Sequence, residues 1–337
     1  MSGPSSTGEQ LLTVQGLKKY FPLRRGVLQR PAGWIKAVDG IDLAMAPGQT
    51  LGLVGESGCG KSTVGRLVLR LLPADGGRVL FQDQDLGRMP AGELRRLRRQ
   101  MQIIFQDPYG SLNPRMTVGE AIEEGVRQEG GRGPERRARV AELLEMVGLP
   151  RAAAGRYPHE FSGGQRQRVG IARALSVRPR LIVCDEPVSA LDVSIQSQIV
   201  NLLTDLQAEL GLGYLFISHD LHVVGYLSHT LAVMYLGHIM EYGPCGAVFA
   251  RPSHPYTRAL LAAVPSVRPD EGRGLAVLPG EPPSPVDLPR GCRFQGRCPL
   301  VEARCRAGAI AAYAIGPGHW ARCWKAGGQV LEPGLQS

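Results

Sequence analysis

The chain has 337 residues, 43% of them hydrophobic and 20% charged, with a formal net charge of +9. These are ordinary values for a globular protein of one large or two modest domains. No run approaches the 18 uninterrupted apolar residues of a membrane span, and residues 1–10 lack a basic region followed by an apolar core, so no secretory signal is read there. The expectation is a cytoplasmic chain that acts at a membrane only through a partner. Much of the positive charge sits in residues 94–99 and 132–139. Neither run interleaves aromatics for base stacking, so both read as solvated helix faces and no nucleic-acid partner is expected.

In chain order, residues 1–10 read as disordered. Alternating apolar residues predict strands over 11–14 and 41–46, with 24–34 as an intervening loop. The short apolar run 50–54 suits a buried parallel strand. A helix is expected from 61 to about 72, a strand over 76–81, a helix over 91–99 and a strand over 102–105. Residues 117–148 read as helix-rich: Thr117 and Glu120 fit a capping box, and Val140, Leu143, Leu144 and Val147 recur at helical spacing. A helix over 165–177 precedes strands at 181–184 and 214–217, with a helix over 195–210 between them. Beyond Arg251 the composition turns to Pro, Gly and Arg, marking a separate C-terminal segment. The pattern is an α/β core with a helical insertion.

Gly55-Glu-Ser57-Gly58-Cys59-Gly60-Lys61-Ser62-Thr63 fits the phosphate-loop pattern between a predicted strand and a predicted helix, the context that motif requires. Backbone N–H groups from Gly58 to Thr63 can cradle phosphates, Lys61 supplies a point charge, and Ser62 can ligate Mg²⁺. Asp185 and Glu186 close the apolar strand 181–184, at the end of a parallel strand where ligands bind. Asp185 suits Mg²⁺ and Glu186 suits polarising an attacking water. His219 follows the strand 214–217 and suits a hydrogen bond to the γ-phosphate. Gln106 ends the strand 102–105 and could meet Mg²⁺ or the water. A second glycine-rich run, Phe161-Ser162-Gly163-Gly164-Gln165-Arg166, precedes a helix. Its glycines allow close approach of a ligand, while the plainer reading is a capped helix start.

Of seven cysteines, Cys59, Cys184 and Cys245 are scattered, whereas Cys292, Cys298, Cys305 and Cys323 cluster near the C-terminus. Four thiolates suit a [4Fe–4S] cluster or Zn²⁺. The absence of a tight Cys-x₂-Cys knuckle tilts the reading toward iron–sulfur, and unligated thiols are the alternative.

Together these motifs resemble the nucleotide-binding subunits of ABC transporters over roughly residues 11–265. The phosphate loop is 55–63, the Q-loop Gln106, the signature 162–166, the acidic strand end 181–186, the D-loop Ser189-Ala-Leu-Asp192 and the switch His219, with Phe161 standing where the family usually has Leu. The resemblance implies a RecA-like P-loop ATPase core with an antiparallel β subdomain, a helical signature subdomain over about 107–175 and a small cysteine-containing extension over 266–337. It implies ATP and Mg²⁺ as cofactors, Tyr20 (or Phe21) stacking on adenine, and Ser162, Gly163, Gly164, Gln165 and Asp192 facing a partner's nucleotide. The runs 107–118, 184–195 and 254–260 further resemble the dipeptide/oligopeptide importers, most closely their second, F-type ATPase subunit. That subfamily is known for an iron–sulfur cluster in this tail. It implies a heterodimer with another ATPase subunit, two membrane permeases, an extracytoplasmic peptide-binding protein and a peripheral position on the cytoplasmic face of the membrane. An importer of nickel or another small solute, and a soluble non-transport ABC ATPase, are the alternative readings.

Overall fold

The computed structural model describes residues 10–25, 30–263, 280 and 283–331. The expectation of disorder at the N-terminus falls almost wholly outside the described residues. The strands and helices begin with β1 (Leu12–Arg25), β2 (Arg30–Met45), β3 (Thr50–Val54), α1 (Lys61–Val68), β4 (Gly76–Phe81) and β5 (Gln84–Asp85). Next come α2 (Ala91–Leu97), β6 (Met101–Ile104), α3 (Pro108–Ser111), α4 (Val118–Glu129), α5 (Gly133–Met146) and α6 (Gly163–Leu175). They are followed by β7 (Leu181–Asp185), α7 (Val193–Leu210), β8 (Gly213–Ser218), α8 (Leu221–Leu227), β9 (Thr230–Tyr235) and β10 (His238–Pro244). The last are α9 (Cys245–Ala250), α10 (Pro255–Ala262), α11 (Arg304–Ala307), β11 (Tyr313–Gly316) and β12 (His319–Ala321). The chain divides into two compact units, one of residues 1–46, 50–88 and 219–337, the other of 47–49 and 89–218.

The first unit contains an antiparallel sheet in the order β2-β1-β4-β5. Of residues 24–34, expected as a loop, the described ones (24–25 and 30–34) belong instead to paired strands: Pro22 pairs with Trp34, Arg24 with Pro31 and Arg25 with Arg30. Cross-strand pairing, with a register shift between Leu23 and Arg24, overrides the loop-like Gly, Pro and Arg content of this stretch. In the same unit β3 runs parallel to β9, β9 is antiparallel to β10, and β10 is antiparallel to β12. The pairing of β10 with β12 joins Glu241 to Ala321 and Tyr242 to Trp320. Trp320 stacks on Tyr242 with ring centroids 5.7 Å apart. The Pro- and Gly-rich C-terminal segment thus extends a sheet through β12 and buries Phe294 and Trp320.

Glu241 fixes part of this segment. Its fully buried carboxylate accepts from the backbone N–H groups of Ser253 (2.8 Å) and His254 (2.9 Å) and meets His319 Nε2 at 2.8 Å. A buried carboxylate is tolerable only when satisfied in this way.

In the second unit β6, β7 and β8 are parallel neighbours. Every residue of β7 and β8 is buried, as the continuous apolar runs predict for strands covered on both faces. The helices α4 and α5 occupy the helix-rich stretch expected over 117–148, and α6 covers most of the helix expected over 165–177. The capping box is present: the Glu120 N–H donates to Thr117 Oγ1 (3.3 Å), and the Thr117 N–H donates to Glu120 Oε2 (2.7 Å). Among the described residues no helix is long and apolar enough to cross a membrane.

Candidate active site

In the first unit the buried strand β3 delivers the glycine-rich loop to the start of α1. Gly55 has φ +154° and Gly60 φ +111°. A Cβ on Gly55 would lie 2.1 Å from the Met234 carbonyl oxygen, and one on Gly60 would lie 2.0 Å from that of Ala37. Neighbouring backbone therefore forces glycine at both positions. A Cβ on Gly58 would meet nothing, and its φ of +76° alone favours glycine there. Ser57 and Gly58 are exposed at the crest of the loop, whereas Cys59 and Lys61 are buried. Burial raises the Cys59 thiol pKa, so the residue acts as an apolar filler. Lys61 Nζ donates to the carbonyl oxygens of Gly55 (2.7 Å) and Glu56 (3.0 Å). That holds its charge within the curl of the loop, while Ser62 and Thr63 open the helix.

The same unit carries Tyr20, Phe21 and His219. Tyr20 pairs with Lys36 and Phe21 with Ile35. The Tyr20 hydroxyl donates to Asp39, and burial together with this bond pushes its pKa up to about 12. His219 is exposed just beyond β8, where Asp220 caps α8 by accepting from the His222 N–H (2.8 Å) and the Val223 N–H (3.3 Å).

In the second unit two of the expected site residues meet: Gln106 Nε2 donates to Glu186 Oε2 at 3.0 Å. Asp185 is buried at the end of β7. Glu186, the next residue, turns away from the strand with φ +50° and ties its N–H to the Ile217 carbonyl oxygen at 2.9 Å. A left-handed glutamate is costly, and such cost concentrates at functional positions. Asp185 and Glu186 therefore sit in different backbone environments one residue apart.

The second glycine-rich run also lies in this unit. Ser162 is the N-cap of α6: its Oγ accepts from the Gln165 N–H (3.3 Å), and its N–H donates to Gln165 Oε1 (3.0 Å). The plainer helix-cap reading thus holds locally. Ser162 and Gln165 are nevertheless exposed, and the hydroxyl proton of a capping serine remains available to a ligand. The glycines have a packing role that sequence reasoning missed. A Cβ on Gly164 would lie 2.5 Å from Ile195 Cγ2, and one on Gly163 would lie 3.3 Å from Leu191. Close approach to α7 explains these glycines at least as well as close approach to a ligand. Phe161, replacing the usual Leu, is buried with the Arg156 guanidinium 4.4 Å from its ring centre. Gln196 Nε2 donates to the carbonyl oxygens of Val188 and Leu191, both at 3.0 Å. It holds the turn that leaves Asp192 exposed at the start of α7.

The four C-terminal cysteines are free and line one small cavity of about 20 Å³ with Trp324, whose Nε1 donates to Cys305 Sγ at 3.4 Å. His254 lines the same cavity. Its Nδ1 accepts from the Tyr256 N–H (3.0 Å), and burial pushes its pKa down to about 4, so it is neutral at pH 7. Its buried Nε2 has no hydrogen-bond partner. Nonetheless, among the described residues no group of three or more His, Cys, Asp or Glu side chains is arranged to hold a metal ion. The expected iron–sulfur or zinc site is therefore a convergence of thiols and not a preformed metal centre.

The structure adds residues that the sequence reading did not single out. Arg297 Nη1 donates to Glu56 Oε2 at 2.8 Å. Arg293 ion-pairs with Asp39 and donates to the Leu236 carbonyl oxygen at 2.6 Å. Both arginines lie between Cys292 and Cys298, and partners 241 and 254 residues away leave no local signal.

Comparison with known proteins agrees with this geometry. Residues 38–189 match the ABC transporter family model, and residues 240–305 match the oligopeptide/dipeptide transporter C-terminal region. The chain is 49% identical over 319 residues to the oligopeptide transport ATP-binding protein AppF of Bacillus subtilis, covering 94% of this chain and 97% of that one. It is 51% identical over 314 residues to the glutathione import ATP-binding protein GsiA of Escherichia coli O157:H7, covering 93% of this chain and 48% of that one. Among solved structures, the ATP-binding cassette MJ0796 in a dimeric post-hydrolysis state with ADP and phosphate aligns with a TM-score of 0.62 at 28% identity, over 69% of this chain and 98% of that one.

Proposed function

Because this chain belongs to the ABC transporter family of ATP-binding subunits, we propose that it hydrolyses ATP to drive import of peptides. The observation that carries the peptide assignment is the match of residues 240–305 to the oligopeptide/dipeptide transporter C-terminal region, reinforced by near-50% identity to an oligopeptide transport subunit over almost the whole chain. In this reading the loop 55–63 binds the ATP phosphates, Ser62, Asp185 and Gln106 hold Mg²⁺, and Glu186 takes the proton of the attacking water. His219 bonds the γ-phosphate, and Tyr20 or Phe21 stacks on adenine. Ser162, Gly163, Gly164, Gln165 and Asp192 face the nucleotide held by a second ATPase subunit. The dimeric state of the similar cassette bound to ADP and phosphate supports that arrangement.

Two membrane permeases and an extracytoplasmic peptide-binding protein complete the assembly, with this chain peripheral on the cytoplasmic face of the membrane. A groove of about 410 Å³ in the second unit, lined by Arg98, Arg99, Phe105, Ala121, Gly125 and Arg173, is suited to receive a permease segment. Closure of the ATPase pair would be transmitted through it. The test is uptake into membrane vesicles that contain the assembled complex and its binding protein. ATP-dependent accumulation of a labelled di- to pentapeptide is expected. Accumulation of Ni²⁺ without peptide would replace the peptide reading by the small-solute one.

The cysteine cavity is read as the seat of a [4Fe–4S] cluster, with zinc as the alternative. Four free thiols and the unpartnered Nε2 of His254 around one cavity fit a thiolate-bound group with a nearby hydrogen-bond donor. When bound, such a group cross-links a segment with few large apolar residues. Anaerobically purified protein is expected to contain about four iron and four sulfide per chain; stoichiometric zinc with no visible absorbance would contradict the cluster.

A further inference from the structure

We propose that Arg297 is a positioning residue for the nucleotide site, and that the loop between Cys292 and Cys298 sets ATP affinity by holding the phosphate loop in shape. Glu56 is the second residue of that loop, and C-terminal residues tie it at two points. Its N–H donates to the Tyr256 hydroxyl at 3.0 Å, and its carboxylate accepts from Arg297 at 2.8 Å. The Arg297 side chain is 8% exposed and that of Glu56 22%. The arginine is therefore shielded from solvent and the glutamate half-buried; their hydrogen bond is charge-assisted, and loss of Glu56 leaves the Arg297 charge buried.

The rest of the loop is built to keep Arg297 in place. Arg297 Nη1 also reaches the Tyr235 hydroxyl at 3.4 Å. Tyr235 ends β9, next to Met234, whose carbonyl oxygen abuts Gly55. Phe294 is fully buried, 5.5 Å from the Tyr235 ring and 5.3 Å from the Tyr256 ring. Three aromatic rings thus hold the arginine-bearing loop against the elements that shape the phosphate loop. Arg293, four residues before Arg297, makes a second attachment through Asp39, which also accepts from the Tyr20 hydroxyl.

A phosphate loop binds by presenting its N–H groups in one conformation, so anything that fixes that conformation beforehand raises affinity. Glu56 touches no phosphate in this account, and Arg297 acts only through it. The arginines are immediate neighbours of Cys292 and Cys298.

The inference rests on residues 55–63 being the phosphate loop, and the experiment separates the two. The dissociation constant of a fluorescent ATP analogue is measured for the full chain and for Lys61→Ala, Arg297→Gln, Arg297→Lys, Glu56→Gln, the Arg297→Gln/Glu56→Gln double variant and the exposed control Arg88→Gln, with melting of the nucleotide-free proteins alongside. Arg297→Gln is expected to weaken binding about tenfold. Arg297→Lys should recover part of the loss, and the double variant should be no worse than the worse single one. An unchanged constant in Arg297→Gln, with Lys61→Ala impaired, would overturn the clamp and leave the phosphate loop standing. Unimpaired binding by Lys61→Ala would overturn the phosphate-loop assignment itself. Should Arg297→Gln melt much lower, the double variant decides: additive losses in affinity would reduce Arg297 to a structural role.

Discussion

Glu186→Gln is expected to leave ATP binding intact and to lower turnover in the assembled complex by 10²- to 10⁴-fold, the usual contribution of a positioned general base. The amide keeps the size of the carboxylate and can still meet Gln106, whose Nε2 donates to Glu186 Oε2 at 3.0 Å, so the local structure should survive. What is lost is the group that accepts a proton from water. Asp185 cannot substitute for it, being buried at the end of β7 while Glu186 turns away with φ +50°. Single-turnover hydrolysis together with nucleotide binding checks this. Wild-type turnover in the variant would remove Glu186 from the base role, and loss of binding would show that the substitution had damaged the phosphate site instead.

The chemistry-bearing groups were largely legible because each lies in a contiguous run whose local structure the same run dictates. The apolar strand 50–54, the loop of glycines and the helix from Lys61 all follow from adjacent residues. The same is true of the apolar strand ending at Asp185 and of the capping box at Thr117 and Glu120. What escaped depends on distant partners. Residues 24–25 and 30–34 are held by strand pairing that the Pro and Gly content of this stretch disguises. Gly164 reads as a ligand-approach glycine until Ile195 is found 2.5 Å from where its Cβ would be. Arg293 and Arg297 look like ordinary surface charges between cysteines. Only the tertiary fold sets them against Asp39 and Glu56.

Gln196 illustrates the same limit. Its two hydrogen bonds to the turn before α7 turn a helix-surface amide into the brace of an exposed segment. That segment is exposed, as are Ser162 and Gln165, whose capping box leaves the serine hydroxyl proton available. In the proposed reading a second subunit would use them, the signature supplying donors to a neighbour's γ-phosphate.

The most direct test of this account is ATPase activity per chain as a function of concentration, measured for the purified chain alone and with the proposed second ATPase subunit and permeases. If each site gains the donors of a signature only from a partner, as proposed, the dilute chain should be slower than the assembled complex by about 10²-fold or more, the usual loss when preorganised donors to the transition state are missing. Activity per chain should rise with concentration or with added partner. Full activity per chain at dilutions where the protein is monomeric would contradict a partner-completed site.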